Sequence, residues 1–313
     1  MQTPSLSSRF VFDGYQCAQQ REIALAANVA AFRERGVQLK IRAVLFSQDA
    51  GSRLYTRLKA AAAERVGIAY EVTEFSLVDD PSLVVAFLRE TASENDVTGV
   101  IVQKPWRQTW LKNQPATSTS EDFSQWWHTI TAAIAPQQDI DGLSPETLGA
   151  ILDGTWQESK HVLPATCKAV LSILAEAEAK TGISLQTSHI AIIGRSELLG
   201  IPLAAVLRQK HIKCDLLGKS ELNAKIELPE QLHDYAVVVT ATGRKNLVTG
   251  EMVRENVVVI DAGEPQPDVE WQTVADKASF ITPVPGGVGP MTVVSLLENC
   301  VELTGFAVAS SSQ

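Results

Sequence analysis

Short apolar runs alternate with longer stretches of helical periodicity along the first half of the chain, and this alternation restricts the fold more than any other feature. In chain order, the pattern predicts a helix at 17–35, a strand at 39–45, a helix at 52–66, a strand at 69–75, a helix at 80–93 and a strand at 99–102. Strands that alternate with helices form a parallel sheet covered by helices. The first half is therefore predicted to be an α/β domain.

The same alternation restarts after residue 165. Thr166 is predicted to cap a helix that ends at residue 180. The elements that follow are a strand at 189–193, a helix at 202–209 and strands at 214–217, 235–240 and 257–260. The last two strands are runs of Val and Ile, which suits a sheet buried on both faces. Since 313 residues exceed what one hydrophobic core usually holds, the second half is predicted to be a separate, Rossmann-type dinucleotide-binding domain.

The composition disfavours several classes of partner. A formal net charge of −9 disfavours general affinity for nucleic acid or for an anionic membrane. No segment near the N-terminus resembles a signal sequence, and Cys17, Cys167, Cys214 and Cys300 form no Cys-x-x-Cys pair. We therefore expect a cytoplasmic protein with reduced thiols and a small-molecule ligand, with no metal site and with neither nucleic acid nor membrane as a partner.

Residues 281–292 contain three prolines and three glycines in twelve positions. Such a density of fixed φ angles and missing N–H donors specifies an irregular backbone path rather than a regular helix or strand. A helix-like apolar run follows, so the segment is predicted to present backbone amides at a helix start, where a flat polar or anionic ligand can bind. The alternative is an elaborate turn between domains.

A second glycine-bracketed segment runs from Gly194 to Gly200, between a predicted strand and a predicted helix. A Rossmann unit binds pyrophosphate at this place. Gly194 allows close approach of the backbone, Arg195 supplies a charge that pairs with phosphate, and Ser196 supplies a hydroxyl. Because the Gly-x-Gly-x-x-Gly spacing is absent, a generic turn with an exposed arginine is the alternative.

Four polar residues of the first half are candidates for catalysis. Tyr55 and Lys59 are four positions apart on a predicted helix and share a face. A desolvated lysine beside a phenol is an acid/base pair, whereas a solvated one is a common surface pattern. Gln103 follows a predicted strand and Asp141 precedes Gly142. Side chains at such positions either point from a sheet edge into a cleft or cap a turn.

Together, these segments resemble the bifunctional methylenetetrahydrofolate dehydrogenase/cyclohydrolase family. The resemblance runs along nearly the whole chain, in the family's order, and rests on Ser52-Arg53-Leu54-Tyr55 with Lys59, Gly99-Val100-Ile101-Val102-Gln103-Lys104-Pro105, Asp139-Ile140-Asp141-Gly142, Ile193-Gly194-Arg195-Ser196 with Gly200 and Pro202, Val259-Ile260-Asp261-Ala262-Gly263, and residues 281–292. It implies two α/β domains, a folate-binding catalytic domain at 1–148 plus 282–313 and a Rossmann domain at 149–281. It also implies a C-terminal helix that returns from Met291 to the first domain.

The resemblance implies an enzyme of one-carbon metabolism. Such an enzyme oxidises 5,10-methylenetetrahydrofolate with NAD(P) and hydrolyses the methenyl product to 10-formyltetrahydrofolate. In the family pattern Lys59 is the catalytic lysine and Gln103 hydrogen-bonds it. Tyr55 stacks on the folate and Asp141 holds the pterin ring. The residues that further border the folate are Pro285, Gly286, Gly287, Val288, Gly289, Pro290, Met291 and Thr292.

The same resemblance places Gly194, Arg195 and Ser196 against the cofactor phosphates and adds Lys219 and Glu264 to the cofactor site. Arg195 and Lys219 favour NADP because a cation can pair with its 2′-phosphate, whereas an acidic residue at that place would favour NAD. NADP is therefore expected, with NAD as the alternative. The family pattern also implies a homodimer.

The chain departs from the family pattern after Gln103. The family usually has an apolar residue followed by Pro-Leu-Pro there, whereas this chain has Lys104-Pro105-Trp106-Arg107 and then a Trp- and Ser-rich insertion at 107–134. Periodicity leaves three alternatives for the insertion, namely a lid, a contact surface or an ordered insertion. Two alternative functions also stay open: a catalytically silent relative, and a Rossmann dehydrogenase that acts on an amino acid or shikimate-type substrate.

Overall fold

The computed structural model of the protein describes residues 9–218 and 232–311, which form two compact units. The three-stranded unit comprises Gln19–Ala165 and the chain from Val293 onward. The six-stranded unit comprises the described residues up to Ala18 together with Thr166–Thr292. A two-domain α/β architecture is therefore confirmed, and the domain boundaries at residues 148 and 281 stay a prediction.

The elements alternate along the chain as the sequence predicts. In chain order the described strands are β1 (Phe10–Val11), β2 (Lys40–Phe46), β3 (Ala69–Phe75), β4 (Gly99–Val102), β5 (Ile190–Ile193), β6 (Cys214–Leu217), β7 (Val237–Thr240), β8 (Val257–Asp261) and β9 (Ala278–Ile281). The described helices are α1 (Gly14–Glu34), α2 (Ala50–Val66), α3 (Pro81–Thr91), α4 (Arg107–Lys112), α5 (Ser120–Thr131), α6 (Pro145–Asp153), α7 (Ala165–Thr181), α8 (Gly200–Gln209), α9 (Trp271–Val274) and α10 (Val288–Ser311).

The three-stranded unit is built on a parallel sheet in the order β3–β2–β4. The central strand β2 pairs with a strand on each side, and its Ile41 and Ala43 have no exposed surface. β4 is buried along its whole length, which fits its Gly-Val-Ile-Val sequence. β3 lies at the edge and is largely exposed.

The insertion after β4 folds into α4 and α5 and forms part of the core of this unit. Trp110, Phe123 and Trp127 are buried and share a hydrophobic cluster with residues of β2 and β4. α5 begins with a capping box, in which the side chains of Thr119 and Asp122 each accept a hydrogen bond from the other residue's backbone N–H. Of the three alternatives left by the sequence, the structure shows an ordered insertion.

The six-stranded unit has a parallel sheet in the order β1–β9–β8–β7–β5–β6. β5, β7 and β8 are buried along their whole length, as their Val and Ile runs predict. The chain passes from β6 on one side of β5 to β7 on the other, so the strand order reverses at β5. Ligands of such sheets bind at the carboxyl ends of the strands that flank the reversal.

Local sequence signals located the strands better than the helix starts. The predicted bounds of β3, β4 and β6 agree with the structure residue by residue. The prediction for Thr166 was wrong, because α7 begins at Ala165 and Thr166 lies inside its first turn. α10 begins at Val288 rather than at Met291. Pro290 is tolerated there because the first turn of a helix makes no use of its missing N–H.

Helix α10 returns to the first domain, as predicted. From Val293 it belongs to the three-stranded unit, where Arg21 of α1 donates to Glu298 (Nε to Oε1, 2.7 Å). By length and composition alone, Val288–Ala309 could also cross a bilayer. Its Leu296 and Leu297 have no exposed surface, which is typical of a helix packed in a protein core.

Candidate active site

Helix α2 buries the catalytic candidate Lys59. Gly67 ends this helix in the left-handed conformation (φ 84°), which a residue without a side chain adopts at little cost. The buried face recurs every three or four residues and consists of Ser52, Thr56, Lys59, Ala62, Ala63 and Val66. Lys59 is 7% exposed, whereas Tyr55 is half-buried. Lys59 is therefore held away from bulk water, unlike an ordinary surface lysine.

Gln103 follows β4 at the carboxyl edge of the three-stranded sheet. Its N–H donates to the Val44 carbonyl oxygen (2.9 Å), which extends the ladder between β4 and β2. The side chain is buried, and among the residues that the structure describes none accepts a hydrogen bond from its Nε2. An unpaired buried donor costs free energy, and such a group in a folded protein is a candidate for binding a ligand.

Asp141 lies in the same unit and interacts electrostatically with Lys59. It is 8% exposed, and its carboxylate accepts a hydrogen bond from the Ala165 N–H. Burial raises the pKa of Asp141 to about 6, while the Lys59 charge opposes this shift and the Asp139 charge adds to it. The structure thus brings the candidate lysine and the candidate carboxylate together.

The raised pKa of Asp141 predicts how stability changes with pH. The carboxyl of Asp141 binds a proton more tightly in the folded state than in the unfolded state, where its pKa is 3.8. The free energy of unfolding therefore falls as the pH rises from about 4 to about 6. Asp141→Asn removes the titration. Between about pH 4 and about pH 6.5, we expect the wild type to lose about 2 kcal/mol of stability relative to the variant. Urea unfolding across this range measures the difference, and parallel stability curves would contradict the prediction.

The turn between β5 and α8 has a backbone geometry that suits a dinucleotide. Gly194 has a φ of 118°, which side-chain-bearing residues rarely adopt. A Cβ atom at Gly194 would lie 2.6 Å from the Ala241 carbonyl oxygen, and one at Gly200 would lie 1.8 Å from the Gly194 carbonyl oxygen. Only glycines allow this close turn, which leads directly into the N-terminus of α8, where N–H groups can bind phosphate.

Arg195 and Ser196 follow Gly194 in this turn. The exposed Arg195 side chain reaches the end of β6, where its Nη2 donates to the Leu216 carbonyl oxygen (3.5 Å). The end of this strand is where a Rossmann sheet recognises the adenosine ribose. The Ser196 hydroxyl oxygen accepts from the N–H groups of Leu199 (3.2 Å) and Gly200 (3.5 Å), so it stabilises the entry into α8.

Glu264 lies in the exposed loop after β8, at the same edge of the sheet. Its carbonyl oxygen would be 2.2 Å from a Cβ atom at Gly243, in the loop after β7. These two loops therefore pack directly against each other. Lys219, the remaining cofactor candidate, lies outside the described residues.

Sequence reasoning missed the role of two buried aspartates at this edge. Asp268 accepts hydrogen bonds from the Thr240 hydroxyl and from the Arg244 N–H, both at 2.7 Å. Asp261 ends β8 and accepts from the Gly263 N–H (2.7 Å), and burial raises the pKa of Asp261 to about 6. Both carboxylates hold the loops after β7 and β8. Asp261 is part of a family motif, whereas no local pattern signals Asp268.

The glycine- and proline-rich segment forms an ordered loop after β9. The N–H of Gly14, at the start of α1, donates to the Gly286 carbonyl oxygen (2.9 Å). A Cβ atom at Gly14 would lie 2.0 Å from the Gly287 carbonyl oxygen, and one at Gly286 would lie 3.1 Å from the Tyr15 ring. The start of α1 thus fixes this loop within the six-stranded unit.

The eight residues predicted to border the folate fall into two groups. Pro285, Gly286 and Gly287 belong to the loop, and the other five form the first residues of α10. The side chains of Val288 and Met291 are buried. All eight lie in the six-stranded unit, and their contact with folate stays a prediction.

A parallel six-stranded sheet with a glycine turn that suits a dinucleotide, joined in one chain to an α/β unit with a buried lysine, defines a two-domain α/β protein with a Rossmann-type unit. Residues 12–141 match the family model described as tetrahydrofolate dehydrogenase/cyclohydrolase, catalytic domain. Residues 164–307 match the model for the NAD(P)-binding domain of the same family. The chain belongs to the tetrahydrofolate dehydrogenase/cyclohydrolase family, as its motifs indicated.

Similar proteins cover the chain almost completely. Bifunctional protein FolD of Staphylococcus aureus is 30% identical over 296 residues, which are 92% of this chain and 94% of that protein. FolD of Lactobacillus acidophilus is 29% identical over 300 residues, with 94% and 96% covered. The crystal structure of the bifunctional enzyme FolD, methylenetetrahydrofolate dehydrogenase/cyclohydrolase, from Campylobacter jejuni has a TM-score of 0.81 at 26% identity, and the match covers 96% of this chain and all of that one.

Proposed function

We propose that this protein oxidises 5,10-methylenetetrahydrofolate and hydrolyses the methenyl product to 10-formyltetrahydrofolate. In the first reaction, a hydride moves from the methylene carbon to the nicotinamide ring of NADP⁺. In the second, water adds to the methenyl carbon, the bond from that carbon to one of its two folate nitrogens breaks, and a proton is released. The observation that carries the proposal is the pair of buried groups, Lys59 and Asp141, in a chain of this family.

The methenyl intermediate is a cation, so its hydrolysis needs a positioned water and proton transfer. Lys59 is proposed to manage those protons, because an amine shielded from bulk water serves this better than a fully solvated ammonium. Gln103 is proposed to donate a hydrogen bond from its buried Nε2 during this step, because that donor has no acceptor among the described residues. The Asp141 carboxylate can accept from pterin N–H groups, and the half-buried Tyr55 ring offers a stacking face.

NADP is the proposed cofactor, with NAD as the alternative. When bound, it supplies the acceptor for the hydride. Gly194 and Gly200 allow the close turn that leads into the N-terminus of α8, where N–H groups can bind its pyrophosphate. Arg195 reaches the end of β6, where a cation can pair with the 2′-phosphate that distinguishes NADP from NAD.

The proposal is tested by following methenyl absorbance after methylenetetrahydrofolate is added with NADP or with NAD. Appearance of the methenyl signal supports the dehydrogenase, and its decay above the spontaneous rate supports the cyclohydrolase. A silent relative would show a thermal shift with tetrahydrofolate but no methenyl signal. A dehydrogenase for another substrate would show neither the thermal shift with tetrahydrofolate nor the methenyl signal. NADP would still raise its melting temperature.

The proposal includes a cytoplasmic homodimer. β3 pairs with β2 on one side, and no other strand among the described residues pairs with it. Val72 of β3 is 42% exposed, and Leu54 and Leu58 of α2 are exposed as well. An exposed edge strand with exposed apolar side chains beside it is typical of a surface that another chain covers. A second copy of this chain fits, because a two-fold axis lets β3 pair with its own copy. A reducing cytoplasm suits the free cysteines.

If the dimer forms through β3, a charged side chain at the centre of this strand should prevent dimerisation. We expect Val72→Lys to be monomeric at micromolar concentration, because two ammonium groups would meet across the axis. Size-exclusion chromatography with light scattering measures this. Ile23→Lys, at an exposed position of α1, is the control and should stay dimeric. A dimeric Val72→Lys would move the interface away from β3, and a monomeric wild type would reject the homodimer.

A further inference from the structure

Asn299 of α10 joins two distant backbone segments of the three-stranded unit. The residue has no exposed surface. Its Nδ2 donates to the Ile140 carbonyl oxygen (2.9 Å) and to the Leu163 carbonyl oxygen (2.8 Å). These carbonyls are 159 and 136 residues away along the chain. An amide nitrogen has two hydrogens, so Asn299 can satisfy both acceptors at once.

The two segments that Asn299 joins are those that place Asp141. Ile140 directly precedes Asp141, and Leu163 precedes Pro164 and Ala165, whose N–H donates to the Asp141 carboxylate. The segments also touch at Gly142, which has a φ of 67°. A Cβ atom at Gly142 would lie 2.6 Å from the Pro164 nitrogen. The position of the carboxylate therefore depends on how closely the two segments are held.

We infer that Asn299 is a positioning residue, which fixes Asp141 for folate binding by holding the segments on either side of it. This inference rests on the proposed function. Without the amide, the Ile140 and Leu163 carbonyls are buried and unpaired, so the segments separate to reach other donors. The Ala165 N–H then moves away from the Asp141 carboxylate, and the carboxylate loses its fixed orientation.

Asn299→Leu tests the inference, because leucine keeps the size of the side chain and removes both hydrogens. The dissociation constant for tetrahydrofolate should rise about tenfold, as expected for the loss of a well-placed hydrogen-bonding group, and that for NADP should change by less than about twofold. Cys300→Ala is the matched control. It changes the next buried residue of the same helix without touching either hydrogen bond, and both constants should stay as in the wild type.

A double-mutant cycle with Asp141→Asn separates positioning from a general loosening of the fold. If Asn299 acts through Asp141, then Asn299→Leu weakens tetrahydrofolate binding by less than about twofold once Asp141 is replaced. An equal tenfold loss in both backgrounds would overturn the inference. If the leucine variant does not fold, Asn299→Ser, which keeps one donor, enters the same cycle with an expected loss of about threefold in the wild-type background only. A wild type that binds no tetrahydrofolate would reject the proposed function instead.

Discussion

Replacing Lys59 by methionine is expected to lower cyclohydrolase turnover by about 100-fold or more, the range typical of a lost general acid or base. Methionine keeps the length of the side chain and removes the group that exchanges protons. Hydride transfer depends mainly on holding the methylene carbon against the nicotinamide ring, so the dehydrogenase should be less affected. Decay of added methenyltetrahydrofolate measures the first activity, and reduction of NADP measures the second.

Arg57→Met provides the matched control for this prediction. Arg57 lies two positions before Lys59 on the same helix but is exposed, so the variant should keep both activities. Equal cyclohydrolase rates in wild type and Lys59→Met would show that the buried lysine is structural, and would favour a silent relative. An equal loss of both activities would mean that Lys59 binds the folate in both reactions rather than acting on protons.

Arg195→Ala is expected to weaken NADP binding by about 1.5–3 kcal/mol, or about 10- to 150-fold in the dissociation constant, because a charged hydrogen bond to phosphate is lost. The affinity for tetrahydrofolate should hardly change. Arg254→Ala, another exposed arginine of the six-stranded unit, is the control and should bind NADP as the wild type does. Fluorescence titration of both cofactors measures the effect.

The comparison of NADP with NAD decides which phosphate Arg195 contacts. If the guanidinium pairs with the 2′-phosphate at the end of β6, the affinity for NAD should stay within about twofold of the wild type. An equal loss for both cofactors would place Arg195 at the pyrophosphate instead. Unchanged NADP affinity in a folded variant would reject its assignment to the cofactor site.

The strands were predictable because their signal is local. β4 is a short run of apolar residues between Thr98 and Gln103, and its complete burial follows directly from that composition. The insertion was not predictable, since α4 and α5 depend on Trp110 and Trp127 packing against strands far away in the sequence. A tertiary contact, rather than periodicity, decides the structure there.

In the candidate site, too, some features are predictable from local sequence and others depend on tertiary packing. The motif around Tyr55 and Lys59 located the helix face, but no spacing rule reveals that the lysine is nearly inaccessible. The dependence of the Asp141 position on Asn299 was equally hidden, because 158 residues separate them in the sequence and the link runs through backbone carbonyls. Local patterns identify functional groups, whereas their protonation and orientation follow from the packed fold.

Because most tryptophans lie in one unit, intrinsic tryptophan fluorescence can report on the unfolding of that unit. Of the six tryptophans, Trp271 lies in the six-stranded unit and the other five lie in the three-stranded unit. The rings of Trp110 and Trp126 are 5.7 Å apart, close enough for efficient energy transfer between indoles. Indole emission therefore follows mainly the folding of the three-stranded unit, while far-ultraviolet circular dichroism follows both. Coincident denaturation curves from these two signals would mean that the units unfold as one cooperative body, and separated curves would give each unit its own stability.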